Sequence, residues 1–421
     1  MKTKRIVALL GVVALVAALA ALSGAASTAK AAQHKGVTIT IWDYFDAPPN
    51  GTAERNALMA VAQKWAKKTG NKVVNPGYVA NKENKFIQAA PAGQGPDILM
   101  EPHDRIGSFI VPGLLASAPK SLLTVAQKGN YVPVSLQAFT YKGKLFGLPW
   151  ARETYFMFYN KDLVKTPPAT WGGVISAAKK LTTGDQYGFL WDTTNFYYDF
   201  SFMGGFGGYV FKHTAKGLDP KQLGINTPGS IKGFQLIQDL TNFYKLVPAA
   251  TNTDIMEGKF SSGKAGMIID GPWAVAGFKA KNVNFGVAPL PALAKGKPMR
   301  PFVGVQGFLV NSKSKNAAAA WDLVKYLSQN AELPLFKAAG RVPVLNSIAN
   351  SPLVKKNAVT QAVIHSSNLG EPMPNIPAMA VVWAPMANAL GTLVNGKATA
   401  AQAAADAQKA IAAAIAQQGG G

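Results

Sequence analysis

Short apolar runs alternate with longer amphipathic ones along most of this chain. Residues 37–42 (VTITIW) switch between apolar and polar with the period of two that a half-buried strand requires. The run breaks at 43–51, where Pro, Asn and Gly make a loop. Leu58, Val61, Ala62 and Trp65 then mark one face of a helix that stops at Gly70. A strand restarts at 72–74, a helix follows at 86–90, and 97–100 forms a strand behind Gly95-Pro96. That strand runs straight into Glu101, Pro102, His103, Asp104 and Arg105, after which Ile106, Phe109 and Ile110 return at helical spacing. In an open α/β sheet, such a junction lies at the carboxyl edge, where ligands bind.

The alternation continues. It predicts a hairpin over 141–150, turning at Lys142, Gly143 and Lys144, then a strand at 155–159 and a helix at 168–181. A strand at 187–191 precedes the aromatic segment 195–206. Thr227-Pro228 caps a helix with Ile231, Phe234, Ile237 and Leu240 on one face. Strands at 265–270 and 303–310, a helix at 317–327 and two Ala-rich helices at about 376–393 and 398–414 complete the pattern. Strand–helix alternation of this kind gives mostly parallel sheets with helices on both faces. At 421 residues, without an internal repeat or a low-complexity linker, it gives two α/β lobes with a cleft between them.

Residues 1–31 stand apart from this pattern. Lys2, Lys4 and Arg5 precede an Ala-rich apolar run over 6–22, and small residues lead to Ala29-Lys30-Ala31, the order of a secretory signal peptide cleaved near Ala31. No other run is expected to reach membrane length. The chain has no cysteine, which excludes disulfides, thiol chemistry and a cysteine-linked lipid anchor. Its formal charge is +22; removal of Lys2, Lys4, Arg5 and Lys30 with the signal leaves +18. Only 15% of residues are charged, and the lysines are scattered singly, so the excess reflects a shortage of acids. This argues against a nucleic-acid partner and suits an anionic or acidic exterior.

Two kinds of residue carry candidate chemistry. Trp273 follows a Gly-Pro turn directly after a strand, Trp383 sits on a helix entered through Met373 to Pro377, and Tyr197 lies in the aromatic segment. Each ring offers a flat apolar platform for the CH face of a pyranose, worth about 2 kcal/mol if about 80 Å² leaves water. Three supply about 6 of the roughly 8 kcal/mol that micromolar binding needs. Asp46, Asp104, Arg105 and Glu153 sit at element junctions and can exchange charged hydrogen bonds with hydroxyls, about 1.5–3 kcal/mol each. Glu101, Asp104 and Glu153 also admit a paired-carboxylate glycosidase, whose separation the sequence does not fix. The four histidines show no ligand spacing, no nucleophile-elbow motif is present, and Gly204 to Gly208 lacks a phosphate loop's Lys-Ser/Thr. The reading is therefore of a binder, not an enzyme, with no metal or cofactor.

With these segments laid out, the chain resembles the extracellular solute-binding proteins of ABC sugar importers, and among them the maltose/maltodextrin-binding proteins. The likeness rests on GPDI with HDR (Gly95 to Ile98, His103 to Arg105), YNKDL, PPATW, GGYVFK, GPWA (Gly271 to Ala274), FVGV (Phe302 to Val305) and MPNIP (Met373 to Pro377), in that order over the mature chain. The resemblance implies a type II periplasmic-binding-protein fold of two Rossmann-like lobes joined by a multi-crossing hinge. It places 33–151 with 302–350 in one lobe and 152–301 with 351–421 in the other. It implies sugar-hydroxyl contacts from Asp46, Asp104, Arg105 and Glu153 and stacking on Tyr197, Trp273 and Trp383. The implied partners are a malto-oligosaccharide and the membrane permease of an ABC importer, served by an exported monomer at the periplasmic or outer face of the membrane. Some positions depart from the family pattern: Glu101 stands in place of a tryptophan, Asn195 of a glutamate, Ala47 of a lysine and Ala387 of an arginine. Phe196, Tyr198 or Trp150 are the expected substitutes for the lost platform.

Overall fold

The computed structural model describes residues 35–49, 51–215, 217–293 and 297–419. The expected signal peptide, 1–31, lies outside them. In the first lobe the strands lie in the order Lys72–Val74, Thr38–Trp42, Ile98–Pro102, Phe302–Val310 and Gly147–Glu153. Of these five, Phe302–Val310 runs against the other four. The helices Thr52–Thr69 and Lys82–Ala89 carry the chain back between the parallel strands. Side chains alternate between two cores, as the pleat dictates. Ile39, Ile41, Met100, Phe308 and Val310 pack with Leu58, Trp65 and Trp321. Leu99, Val305 and Leu309 pack on the other face with Phe86, Phe109 and Phe139.

The second lobe orders its strands Phe285–Ala288, Phe156–Asn160, Ala265–Asp270 and Tyr187–Leu190. Here the reversed strand is Phe156–Asn160. Each sheet's exceptional strand arrives directly from the other lobe instead of through a crossover helix, which explains its direction. The hinge is thus built from Gly147–Glu153 continuing into Phe156–Asn160, from Phe302–Val310, and from Glu371–Pro372, which pairs parallel to the start of Phe302–Val310. Thr154 Oγ1 donates to the Phe302 carbonyl at 2.7 Å and ties the first two together. Phe302–Val310 is buried throughout. Phe302 belongs to the second lobe's core, while Phe308 and Val310 belong to the first's.

Several boundaries differ from the sequence reading. The strand expected to end at Met100 continues through Glu101 and Pro102. The predicted hairpin resolves into a short one, Thr140–Tyr141 with Lys144–Leu145, and a separate strand of the main sheet. The aromatic segment is a helix, Phe196–Gly205, buried on nearly all sides. The stretch Pro377–Val394 has the length and apolar character of a membrane span, contrary to the expectation that only the leader approaches one. It divides into a 3-10 turn, Pro377–Val381, which sends Met379 into the second core, and the helix Trp383–Val394, which sends Met386, Leu390 and Leu393 there.

Candidate functional site

The carboxyl ends of the first sheet and the aromatic turns of the second lobe enclose a cleft of about 680 Å³. Asp46, Asp104, Arg105, Glu153, Tyr197, Trp273 and Trp383, far apart in sequence, all line it. The polar half is anchored before it reaches any ligand. Arg55 grips Asp43 through two nitrogens, Nε to Oδ2 at 2.6 Å and NH2 to Oδ1 at 3.0 Å. The same NH2 donates to the carbonyls of Phe45 and Asp46 at 3.2 Å each. Gly51 lies so close beneath this loop that a Cβ would sit 2.2 Å from the Asp46 carbonyl oxygen, so no larger residue fits. The loop is held rigid while the Asp46 side chain stays exposed at the rim.

Asp104 and Arg105 sit on the 3-10 turn His103–Arg105. His103 fixes that turn to the hinge: its Nδ1 accepts from the Val305 amide at 3.1 Å and its Nε2 donates to the Met373 carbonyl at 2.8 Å. Arg105 approaches Asp104 at 3.4 Å and Glu83 at 3.3 Å, and its guanidinium lies 5.8 Å from the Trp383 ring centre, a contact across the cleft. Asp104 Oδ1 is buried with no protein partner. Glu153 is more fully occupied. Its Oε1 accepts from Gln306 Nε2 at 2.6 Å and its Oε2 from Arg341 NH1 at 3.3 Å, while Arg341 Nε donates to Glu54 at 2.5 Å. Burial pushes the Glu153 carboxyl above its ordinary value, and Arg341 and Gln306 partly offset this. Glu101 also faces the cleft, 3.1 Å from Lys82 Nζ. Lys82 donates in addition to the carbonyls of Asp43 and Met100, at 2.8 and 2.6 Å. Burial raises the Glu101 carboxyl and lowers the Lys82 ammonium from their usual ranges.

The aromatic half is supported from behind. A Cβ on Gly271 would lie 2.1 Å from the Trp273 ring, so the Gly-Pro turn lets the indole fold back onto the backbone. Asn195 Oδ1 accepts from the Tyr197 amide at 3.1 Å and caps the helix that carries Tyr197. Phe302 packs behind two platforms, its ring centre 6.5 Å from Tyr197 and 6.2 Å from Trp383. Tyr197 and Trp273 lie 6.1 Å apart. All three platforms are half-buried, and the Tyr197 hydroxyl and Trp383 Nε1 have no protein partner. Phe196, Tyr198 and Trp150 do not replace the lost platform. They are 2%, 3% and 1% exposed and serve as packing.

Tyr44, Lys82, Arg341 and Met373 also line the cleft and were not singled out from the sequence. Tyr44 lies in the same polar loop as Asp46, a signal that was available. Arg341 had none, because its partners Glu54 and Glu153 are remote in sequence. Among the described residues no group of His, Asp or Glu side chains could hold a metal ion.

The comparisons with known proteins agree with this geometry. Residues 60–361 match the family model described as bacterial extracellular solute-binding protein. The galactooligosaccharide-binding protein of Bacillus subtilis is 36% identical over 390 residues, 90% of this chain and 89% of that one. The structure of the Thermus thermophilus maltotriose-binding protein bound with maltotriose superposes with a TM-score of 0.80 at 36% identity, over 90% of this chain and all of that one. That of the maltose-maltodextrin binding protein of Alicyclobacillus acidocaldarius gives 0.81 at 34% identity, over 89% and 99%. The two sheets, each with one reversed strand shared through a hinge, are the type II periplasmic-binding-protein architecture of these relatives. The chain belongs to the bacterial extracellular solute-binding proteins, among the sugar-binding components of ABC importers.

Proposed function

We propose that the exported chain, acting as a monomer, binds malto-oligosaccharides in the cleft and delivers them to the permease of an ABC importer. The observation that carries this is the pairing of three half-buried aromatic platforms with buried polar atoms that have no protein partner: Asp104 Oδ1, the Tyr197 hydroxyl and Trp383 Nε1. A sugar ring has an apolar face for the first and hydroxyls for the second. In this reading Asp46, Asp104, Arg105 and Glu153 engage hydroxyls, and Tyr197, Trp273 and Trp383 stack. The closing bodies are 33–151 with 302–350, and 152–301 with 351–421. Sugar touching both favours the closed form, which the permease then reads. The chain hydrolyses nothing: Glu153, the best-placed carboxylate, is committed to Arg341 and Gln306.

A galacto-oligosaccharide is the second reading, favoured by the similarity to the Bacillus subtilis relative. Tryptophan fluorescence titrated with maltose, maltotriose, longer maltodextrins, galacto-oligosaccharides and xylo-oligosaccharides separates them. Saturation with the α-glucans, weakened about 30-fold in Trp273→Ala, is expected from the loss of about 2 kcal/mol of stacking. Saturation with another sugar alone moves the substrate, and reducing-end release from maltodextrin that is lost in Glu153→Gln would make the chain a hydrolase.

A further inference from the structure

Tyr197, Trp273 and Trp383 all pack against the core of the second lobe. A sugar lying on them would find stacking on one side of the cleft only. Two rings of the first lobe change this. Among the described residues three Phe, Tyr or Trp side chains are exposed, Tyr44 at 37%, Tyr78 at 52% and Phe243, and the first two line the cleft. Exposed apolar rings are ordinary singly, but two on one wall of one cleft form a surface for contact.

Both rings are held in place by the same aspartate. Tyr44 stands between Asp43 and Phe45, whose side chains are buried, and the Phe45 amide donates to Asp43 Oδ1 at 2.9 Å. Lys82 Nζ lies 4.8 Å from the Tyr44 ring centre and 3.1 Å from Glu101 Oε1, so the ring sits beside the carboxylate at the end of Ile98–Pro102. Tyr78 belongs to the loop between Val74 and Lys82. Asn75 Nδ2 donates to Asp43 Oδ2 at 2.7 Å, and the Gly77 amide donates to Asn75 Oδ1 at 2.8 Å. Gly77 has a φ of 88°, which glycine adopts without strain. The strands that deliver these residues are parallel neighbours, Ile98–Pro102, Thr38–Trp42 and Lys72–Val74, with the last at the sheet edge. Neighbouring strands lie about 4.8 Å apart. Their carboxyl ends therefore present Asp104, then Tyr44, then Tyr78 as a row about 10 Å long that leads away from the hinge strand Phe302–Val310.

We propose that Tyr44 and Tyr78 form two further stacking subsites on the first lobe, Tyr44 for a ring near the floor of the cleft and Tyr78 for a more distant one, so that the site is built for oligosaccharides longer than two units. A chain anchored at Asp104 and Tyr44 must extend beyond its first rings to reach the edge strand and Tyr78. Asn81 and Asn84 line the cleft on the same stretch of chain and supply amide donors and acceptors for the hydroxyls of such an extension. Sugar already stacked on the second lobe meets both tyrosines on closure, so each ring they cover adds to the preference for the closed form. The inference rests on the cleft binding sugar, as proposed above, and on neither choice of oligosaccharide.

The test is calorimetric titration of the wild-type chain, Tyr44→Ala, Tyr44→Phe and Tyr78→Ala with malto-, galacto- and xylo-oligosaccharides of two, three and four units. Tyr44→Ala is expected to weaken binding at every length by about tenfold, and Tyr44→Phe to keep it within about twofold, because stacking needs the ring and not the hydroxyl. Tyr78→Ala is expected to cost about tenfold with the four-unit sugar and no more than about twofold with the two-unit one. Both side chains are exposed, and thermal unfolding checks that the variants are folded. A loss in Tyr78→Ala that is the same at every length, or absent at every length, would overturn the distant subsite. Unchanged affinity in Tyr44→Ala would overturn the near one. A wild-type chain that saturates with none of these sugars would overturn the sugar reading and this inference with it, whereas saturation with equal affinity in wild type and variants would overturn this inference alone.

Discussion

Tyr197 offers the sharpest separation of binding from folding. Its ring contacts Tyr155, Tyr198, Trp273 and Phe302, so the aromatic body is needed for packing, while its hydroxyl bonds to nothing in the protein. An unpartnered buried hydroxyl is a burden on the fold unless a ligand satisfies it. Tyr197→Phe is therefore expected to leave the unfolding midpoint unchanged or slightly higher. Sugar affinity should fall by about 1 kcal/mol, roughly fivefold by calorimetry. Unchanged affinity would mean that the hydroxyl faces no ligand. The same logic applies to Asp104 Oδ1 and Trp383 Nε1, whose partners are also missing. Glu153 is the contrast: with both oxygens engaged, its truncation is expected to damage the hinge as well as the site.

At the scale of elements, the site depends on segments that touch no ligand. Arg55 stands on the helix Thr52–Thr69 and reaches back to Asp43, Phe45 and Asp46. Arg55→Ala is expected to free the loop and weaken sugar binding by about tenfold, mainly through faster dissociation, because ordering the loop then falls to the ligand. Stopped-flow dissociation kinetics would check it, and an unchanged off-rate would show that Asp46 needs no such support. Much of this level was legible in the sequence. The period-two run before Asp43, the Gly-Pro stop before Trp273 and the polar cluster at Asp104 each mark a strand ending at the cleft. What escaped has a physical reason. The helix Phe196–Gly205 is buried nearly all round, so it carries no amphipathic period for sequence to display. Glu101 reads as the start of a loop because charge seldom sits inside a strand; Lys82 allows it, and that pairing exists only in the folded chain. Arg341 gathers Glu54 and Glu153 from distant segments and leaves no local trace.

Across the whole molecule, buried acids set a pH dependence. Burial lifts the carboxyls of Asp199, Asp270 and Glu332 well above their ordinary values, and lifts Glu101 and Glu153 in the same direction. A carboxyl whose folded value is raised contributes stability that is complete below its ordinary value of about 4 and is lost as pH rises through the raised one. His103 works the other way: burial lowers its value, so its contribution is lost as pH falls below about 6.5. Several carboxyls oppose one imidazole. The unfolding midpoint is expected to rise by several degrees between pH 7 and about pH 5, measured by calorimetry at fixed salt. A steady fall over that range would contradict it.

The hinge itself can be biased from a distance. A second groove of about 930 Å³ lies between the lobes, with Val134, Gln137 and Ala138 on one side and Leu218 and Ile415 on the other. Met373, held by His103, lines both this groove and the cleft, so the two cavities sit on either side of one pivot. Bodies turning about such a pivot widen one cavity as they narrow the other. A bulky side chain placed in the groove keeps it wide and so favours the narrow cleft, where Arg105 reaches Trp383. Gln137 is exposed and makes a suitable point of entry. Gln137→Trp is expected to raise sugar affinity about three- to tenfold by removing part of the conformational cost of closure, with no new contact to the sugar. Calorimetry with the sugar identified by fluorescence would measure it. Weaker binding would mean that the indole blocks closure, and unchanged binding would mean that the groove and the cleft are not coupled through Met373.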